Sequence, residues 1–324
     1  MNLGLRPLQI RDRSRLEHAI QWMMEGRRTP LALWAFAPHF IWRDFLSFYW
    51  TELDGWLCLF AEYTDGIYMP LPPMGPGPMG GAGGHCPLQD ILAVVFAFMK
   101  NRNQGSAVTR IENIPGELKE MIEPLGYLLT PKDADYLYRT CDLIALKGDR
   151  YKSPRAAYNR FLRSHRVRIV PYTLRDRDAC LALFSRWATQ KEDVLPLNGE
   201  HAHSMARLLL QDAGAAHYTA LHHAAALGLT GRIAWVDGTI RGYTFGYERS
   251  SEVFCILLEV ADRTIYGLAQ YLFREFCREM TTYPFINTMD DSGLVSLARS
   301  KRAYHPWSMV KNYIATSPAG ACSK

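Results

Sequence analysis

Two Asp-Gly pairs, each set between runs of apolar residues and far apart in the chain, constrain its architecture more than any other feature. Asp65-Gly66 lies between residues 56–63 and 67–71, and Asp237-Gly238 between 233–236 and 240–247. An Asp-Gly pair supplies the positive φ angles that a tight hairpin needs, so each site predicts two antiparallel strands. A similar order of elements follows each hairpin. In the first half an apolar helix over 88–101 leads to a strand over 107–114, then to a helix opened by Pro115-Gly116 with Leu118, Met121 and Ile122 on one side. In the second half a strand over 253–260 leads to an amphipathic helix over 266–280, a strand over 285–289 and a helix over 293–304. The repeat is one of organisation, with little identity. It predicts an α/β (α+β) chain of mixed sheets flanked by helices, divided near residues 131–135 into domains 1–134 and 135–324. A short helix over 16–24 and a strand over 136–138 complete the expectation, and the aromatic residues of 30–50 are read as core packing.

The bounds exclude several classes. At 324 residues there is room for two ordinary domains. The N-terminal residues lack the apolar region of a secretory leader, and the longest apolar run, 91–99, is too short to span a bilayer. Seven cysteines occur with no C-x-x-C pair, which speaks against a disulfide framework. The pairs His201/His203 and His222/His223 lack companion ligands, so no metal site is expected. A cytoplasmic protein is the expectation. The net charge of +5 is less informative than its placement, because residues 147–168 hold eight Lys or Arg against the single acid Asp149. Such a cluster suits a polyanion or a solvated helix face, and the two readings stay open.

Three stretches carry candidate chemistry. The turn between the strand 253–260 and the next helix contains Arg263, Gly267 and Ala269, and a glycine at a helix N-terminus lets a phosphate approach free N–H groups. Glu259 ends the same strand, where a carboxylate can accept a proton from an incoming nucleophile. The second stretch runs from Lys147 through Lys152, Ser153-Pro154, Arg155 and Asn159; Ser153 is expected to cap a helix whose first residue is Pro154, which sets Lys152 and Arg155 beside its N-terminus. The third is Asn287, Asp290 and Asp291, followed by Lys301 and Tyr304. Its carboxylates suit the ammonium of an amino-acid-like substrate, although capping of the next helix by Asp291 or Ser292 is the commoner reason for such residues.

The order hairpin, strand, helix, strand, helix resembles the GCN5-related acyltransferase (GNAT) core, and its repetition implies two tandem GNAT-like domains. In that family the coenzyme A pyrophosphate lies on a Gln/Arg-x-x-Gly-x-Gly/Ala turn. Gly267-Leu268-Ala269 matches the second half of the pattern, Thr264 stands where Gln or Arg is usual, and Arg263 is adjacent. Many members also place a general base near the strand position of Glu259.

Two further motifs are more specific. They are Tyr136-Leu137-Tyr138 with Asp142-Leu143, Leu146-Lys147-Gly148, Tyr151-Lys152, Arg155, Asn159 and Phe161, and Asn287-x-x-Asp290-Asp291-Ser292-Gly293-Leu294 with Leu297, Ser300-Lys301-Arg302, Tyr304 and Pro306. Together they resemble stand-alone proteins similar to the C-terminal domain of phosphatidylglycerol lysyltransferases. The resemblance implies an aminoacyl transferase that takes its donor from aminoacyl-tRNA and passes it to a hydroxyl or amine of a lipid or small-molecule acceptor, with tRNA and an anionic lipid headgroup as expected partners. On that reading the donor lies on Lys147, Lys152, Arg155 and Asn159, catalysis uses Glu259 with Asp290 and Asp291, and the acceptor meets Asn287, Lys301 and Tyr304. Two alternatives stay open: a coenzyme A-dependent N-acyltransferase using the Gly267–Ala269 turn, and a non-catalytic module that binds RNA or a lipid headgroup.

Overall fold

The computed structural model describes residues 2–27, 29–75, 86–104, 107–192 and 200–317, with the side chains of 192 and 200–211 not among them. Most of the Pro/Gly/Met-rich stretch 70–84, which reads as a loop in the sequence, and the side chains of His201 and His203 therefore lie outside the described residues. The chain begins with β1 (Arg6–Pro7), α1 (Arg13–Met23), α2 (Phe36–Ile41), β2 (Ser47–Leu53), β3 (Trp56–Tyr63) and β4 (Gly66–Tyr68). Next come α3 (Leu88–Asn103), β5 (Ile111–Pro115), α4 (Gly116–Ile122), β6 (Leu128–Arg139), α5 (Thr140–Ala145) and α6 (Lys152–Ser164). Then follow β7 (Val167–Pro171), α7 (Arg177–Glu192), α8 (Glu200–His223), β8 (Thr230–Val236), β9 (Thr239–Ser250) and β10 (Val253–Ala261). The chain ends with α9 (Leu268–Glu279), β11 (Phe285–Asn287), α10 (Val295–Arg302) and β12 (Ser308–Thr316). Two compact units result, 1–134 with 310–324 and 135–309. Residues from Val310 on group with the first unit, whereas the sequence reading carried the second domain to residue 324.

In the first unit β1, β2, β3 and β4 form an antiparallel sheet in that order. Leu53 pairs with Trp56 across a two-residue turn, Asp54-Gly55, whose φ angles of +46° and +83° are those of a tight mirror-image hairpin turn. The aromatic segment over 30–50 thus ends in a strand that the sequence reading did not assign. Trp34, Phe36 and Phe40 are fully enclosed, and the Trp34 indole donates to the Asn113 carbonyl at 2.9 Å, so these rings pack the core. β12 pairs antiparallel with β5, joining Asn312 to Pro115 and Tyr313 to Ile114.

In the second unit the end of β6 is followed across the sheet by β11, β10, β9, β8 and β7, antiparallel throughout except for β10–β11. Side chains alternate across this sheet as a two-residue period dictates. Ile233, Tyr243, Phe245 and Val260 pack with Cys180, Phe184 and Leu221 of α7 and α8. Ala234 and Val236 face the other way, against Tyr158 and Phe161 of α6 and Leu268 and Leu272 of α9. Helix α9 buries Leu268, Tyr271, Leu272, Phe276 and Cys277, one stripe at helical spacing.

Helix α6 starts one residue before Ser153, after a 3-10 turn over Asp149–Tyr151. Ser153 makes no side-chain cap, and Pro154 sits in the first turn, where its missing N–H has no intrahelical partner to lose.

Candidate active site

The strand pair β10–β11 creates the site by ending early. Its parallel register runs only from Val253 opposite Phe285 to Cys255 opposite Asn287. There β11 stops, while β10 continues to Ala261 past an irregularity between Ile256 and Leu258 in its pairing with β9. Such a bulge bends a strand and re-aims its side chains. Glu259 lies on this extension. The residue is half-buried, but its Oε2 is sealed from solvent and has no hydrogen-bond partner among the described residues. Burial pushes the carboxyl up to about 8. Its charge adds to burial in raising the Cys277 thiol of α9 and the Tyr304 phenol, which places the three groups together. The Tyr304 ring also packs on Phe273 at 4.8 Å.

Beyond β11 the chain turns sharply, with positive φ at Met289, Ser292 and Gly293. Lys301, on α10, organises this turn: its ammonium donates to the carbonyls of Thr288 (2.6 Å), Met289 (3.3 Å) and Asp290. Burial lowers its pKa to about 8, against the opposing pull of Asp290, Asp135 and Asp291. The Asp290 carboxylate accepts the Ser292 N–H, and that of Asp291 accepts the Gly293 N–H. Helix α10 starts only at Val295 and has no side-chain cap, so capping by Asp291 or Ser292 is replaced by bonding within the loop. Asn287 is fully buried and donates to Asp135 at 2.9 Å while accepting the Met289 N–H at 2.6 Å.

The donor-side candidates gather elsewhere in the unit, where α6 crosses α9. Gly267 has φ +86° and precedes the first residue of α9; a Cβ there would collide with the Ala157 carbonyl oxygen and lie 2.9 Å from Phe161 Cβ. The glycine therefore permits close packing of α6 against the start of α9. Ala269 is exposed in the first turn of α9. Arg155 is turned inward, donating to the carbonyls of Leu146 (2.5 Å) and Gly148 (2.9 Å). Arg274 does the same for Ile144 and Ala145, so two guanidiniums satisfy the open carbonyl end of α5. Arg263 reaches α7 and donates to the Gln190 carbonyl at 3.1 Å. Lys147, Lys152 and Asn159 are exposed, and Lys152 and Asn159 continue with Arg160 and Arg163 as an exposed stripe of α6. Arg160 lies 5.0 Å over the ring of Tyr266, which is 60% exposed.

Four residues missing from the sequence candidates belong to this geometry: Tyr136, Tyr138, Asp135 and Cys277. The Tyr136 hydroxyl donates to Asp291 Oδ2 at 2.5 Å, and that of Tyr138 to the Lys301 carbonyl at 2.9 Å. The two tyrosines alternate along β6, a spacing that points them to one side of the sheet. Among the described residues no group of His, Cys, Asp and Glu is arranged to hold a metal, and no helix is long and apolar enough to cross a membrane. All six described cysteines are free thiols.

Comparisons with known proteins agree with this architecture. No curated protein matches the sequence. A conserved protein of unknown function from Bacteroides thetaiotaomicron superposes with a TM-score of 0.79 at 23% identity, over 98% of this chain and 100% of that one. L-PGS from Bacillus licheniformis gives 0.62 at 15% identity, over 98% and 94%. A tandem GNAT protein from the clavulanic acid biosynthesis pathway gives 0.50 at 10% identity, over 99% and 100%. These identities establish the tandem GNAT-like fold and nothing finer. The family model described as phosphatidylglycerol lysyltransferase, C-terminal, matches residues 34–316. That match runs over most of the chain, and the protein belongs to the phosphatidylglycerol lysyltransferase C-terminal family.

Proposed function

We propose that this chain transfers an aminoacyl group from aminoacyl-tRNA to a hydroxyl or amine, in the cytoplasm or at the inner surface of its membrane. Family and fold point to acyl transfer, and the observation that carries the finer reading is Glu259. A sealed carboxyl with no partner among the described residues, at the point where β10 leaves β11 and with its pKa raised by burial to about 8, is a general base that takes the acceptor proton when ionised, increasingly as pH approaches 8. In the proposed step the acceptor oxygen or nitrogen attacks the ester carbonyl carbon and its proton passes to Glu259. The bond from that carbon to the tRNA 3′ or 2′ oxygen breaks, and the leaving oxygen takes up a proton. Tyr304, held neutral beside Glu259, is a donor for that oxygen. Asp290 and Asp291 shape the acceptor side through their loop, and Asn287 and Lys301 hold the loop in place.

Three features favour a tRNA donor over coenzyme A: α6 packs on Gly267, Thr264 stands at the position of the usual Gln or Arg, and Lys152, Arg160 and Arg163 have no acidic partner among the described residues. An acceptor at a lipid surface places an anionic headgroup near the same site. The test is transfer of labelled lysine from lysyl-tRNA to phosphatidylglycerol vesicles or to soluble amines. Transfer that Glu259→Gln abolishes supports the reading. Transfer from acetyl-coenzyme A but not from aminoacyl-tRNA sinks it, and binding of RNA with no turnover on any donor selects the non-catalytic alternative.

A further inference from the structure

The first unit contains a charged cavity with no part in the chemistry above. It has a volume of about 400 Å³ and is walled by β1, the turn after it, the start of α1 and Trp50 of β2. Arg6, Arg11 and Arg15 converge on it, with Asp12 as the opposing charge. The Asp12 carboxylate is already engaged by the Gln9 N–H at 2.8 Å, and Arg15 is tied to Glu52 at 2.6 Å. Arg6 and Arg11 have no acidic partner among the described residues. Other arginines of this unit are paired, Arg13 with Glu17, Arg102 with Glu62 and Arg110 with Glu112. Two guanidiniums are pre-positioned on one aromatic platform, Arg6 at 5.1 Å and Arg15 at 4.9 Å from the Trp50 ring. Trp50 is only 5% exposed, and its indole N–H has no acceptor among the described residues.

Stacking on an indole fixes a guanidinium plane and leaves its edge N–H groups facing outward, the geometry that grips an oxyanion with paired hydrogen bonds. The volume exceeds that of a bare phosphate and lies in the range of small-molecule sites. We propose that Arg6, Arg11 and Arg15, set on Trp50, form a binding pocket for a phosphate-bearing small molecule, separate from the acyl-transfer site. The pocket uses residues of the first unit alone and stands whether or not the second unit transfers an acyl group.

Calorimetric titration of the full chain at low salt tests it, with inorganic phosphate, pyrophosphate and adenosine monophosphate as probes. Submillimolar binding is expected for at least one of them, weakened at least tenfold in Arg6→Gln/Arg11→Gln and unchanged in Arg175→Gln, an exposed arginine of the other unit. Adenosine monophosphate binding more tightly than phosphate assigns the pocket to a phosphate ester; equal affinities assign it to the free anion. If the double variant fails to fold, Arg11→Gln alone serves, with several-fold weakening expected. No saturable binding below about 10 mM of any probe, or equal affinity in wild type and the folded arginine variant, overturns the proposal; that range sits far above the submillimolar affinity of an ordinary small-molecule site.

Discussion

Gly267 and Ala157 touch where α9 begins and α6 passes over it: the glycine backbone meets the Ala157 carbonyl so closely that no side chain fits between them. The glycine is also held at φ +86°, where a Cβ is disfavoured. Gly267→Ala therefore combines backbone strain with overpacking and should cost about 2–4 kcal/mol, read as a fall in the melting temperature of the second unit. The same packing predicts that coenzyme A at saturating concentration leaves the wild-type melting temperature unchanged, whereas a ligand at a hundred times its Kd would add about 2.7 kcal/mol. An upward shift with coenzyme A returns the Gly267 turn to the role first read from its sequence.

Arg155 and Lys152, three residues apart, should separate structure from binding. Arg155 satisfies the carbonyls of Leu146 and Gly148, so Arg155→Ala leaves the end of α5 short of donors and should lower stability by about 1–3 kcal/mol. Lys152 and Arg160 face solvent without acidic partners among the described residues. Lys152→Gln with Arg160→Gln should leave the melting temperature within about 2 °C while weakening tRNA binding, and should flatten the slope of log K against log salt by about 0.7–0.9 per lost contact. An unchanged salt slope in the double variant removes α6 from the donor path.

These residues also show what the sequence conveys and what it withholds. Asp237-Gly238 announced the β8–β9 hairpin because local backbone geometry alone dictates that turn. Asp54-Gly55 carries the same signal, but the aromatic cluster around it was read as packing, and β2 went unassigned. Residues 167–229 hold no such punctuation, so β7, α7 and α8 were not anticipated. Glu259, Asn287, Asp290 and Asp291 stand out as candidates in the sequence because strand ends and turns concentrate polar groups, whereas Lys301 and Tyr304 take a role only through the family resemblance. The structural role of Arg155 was not readable, since nothing in the spacing says which guanidinium turns inward to a carbonyl. Tyr136 and Tyr138 stand in a family motif that says nothing of their contacts, and Cys277 looks like an ordinary core residue; only the sheet brings the tyrosines to the loop and Cys277 to Glu259.

Lys301 holds three loop carbonyls with one ammonium, and Lys301→Met strands all three in a half-buried setting. The expected loss is about 2–3 kcal/mol of stability, with a larger effect on turnover because Asp290 and Asp291 lose their fixed backbone. Lys301→Arg should restore part of the stability and little of the activity, as a planar fork cannot meet three convergent carbonyls. Full activity in Lys301→Met shows that the loop does not position the acceptor.

Glu259 links the site to pH. Its folded-state pKa is raised by burial to about 8 from an ordinary value of 4.5. The folded protein therefore holds a proton that the unfolded chain releases above about pH 4.5. The resulting stability is fully present below that pH and is lost progressively as pH rises towards 8. Glu259→Gln removes the titration. The variant should match wild type near pH 4.5 and melt at a higher temperature at pH 8.5, where wild type carries a buried charge. Catalysis moves the opposite way, because only the deprotonated carboxylate takes the acceptor proton. Wild-type kcat/KM should rise through an apparent pKa near 8, and Glu259→Gln should lower kcat about 10²- to 10⁴-fold and erase that limb. A variant that gains stability at alkaline pH but keeps the full pH–rate profile shows a buried carboxyl with no part in the reaction.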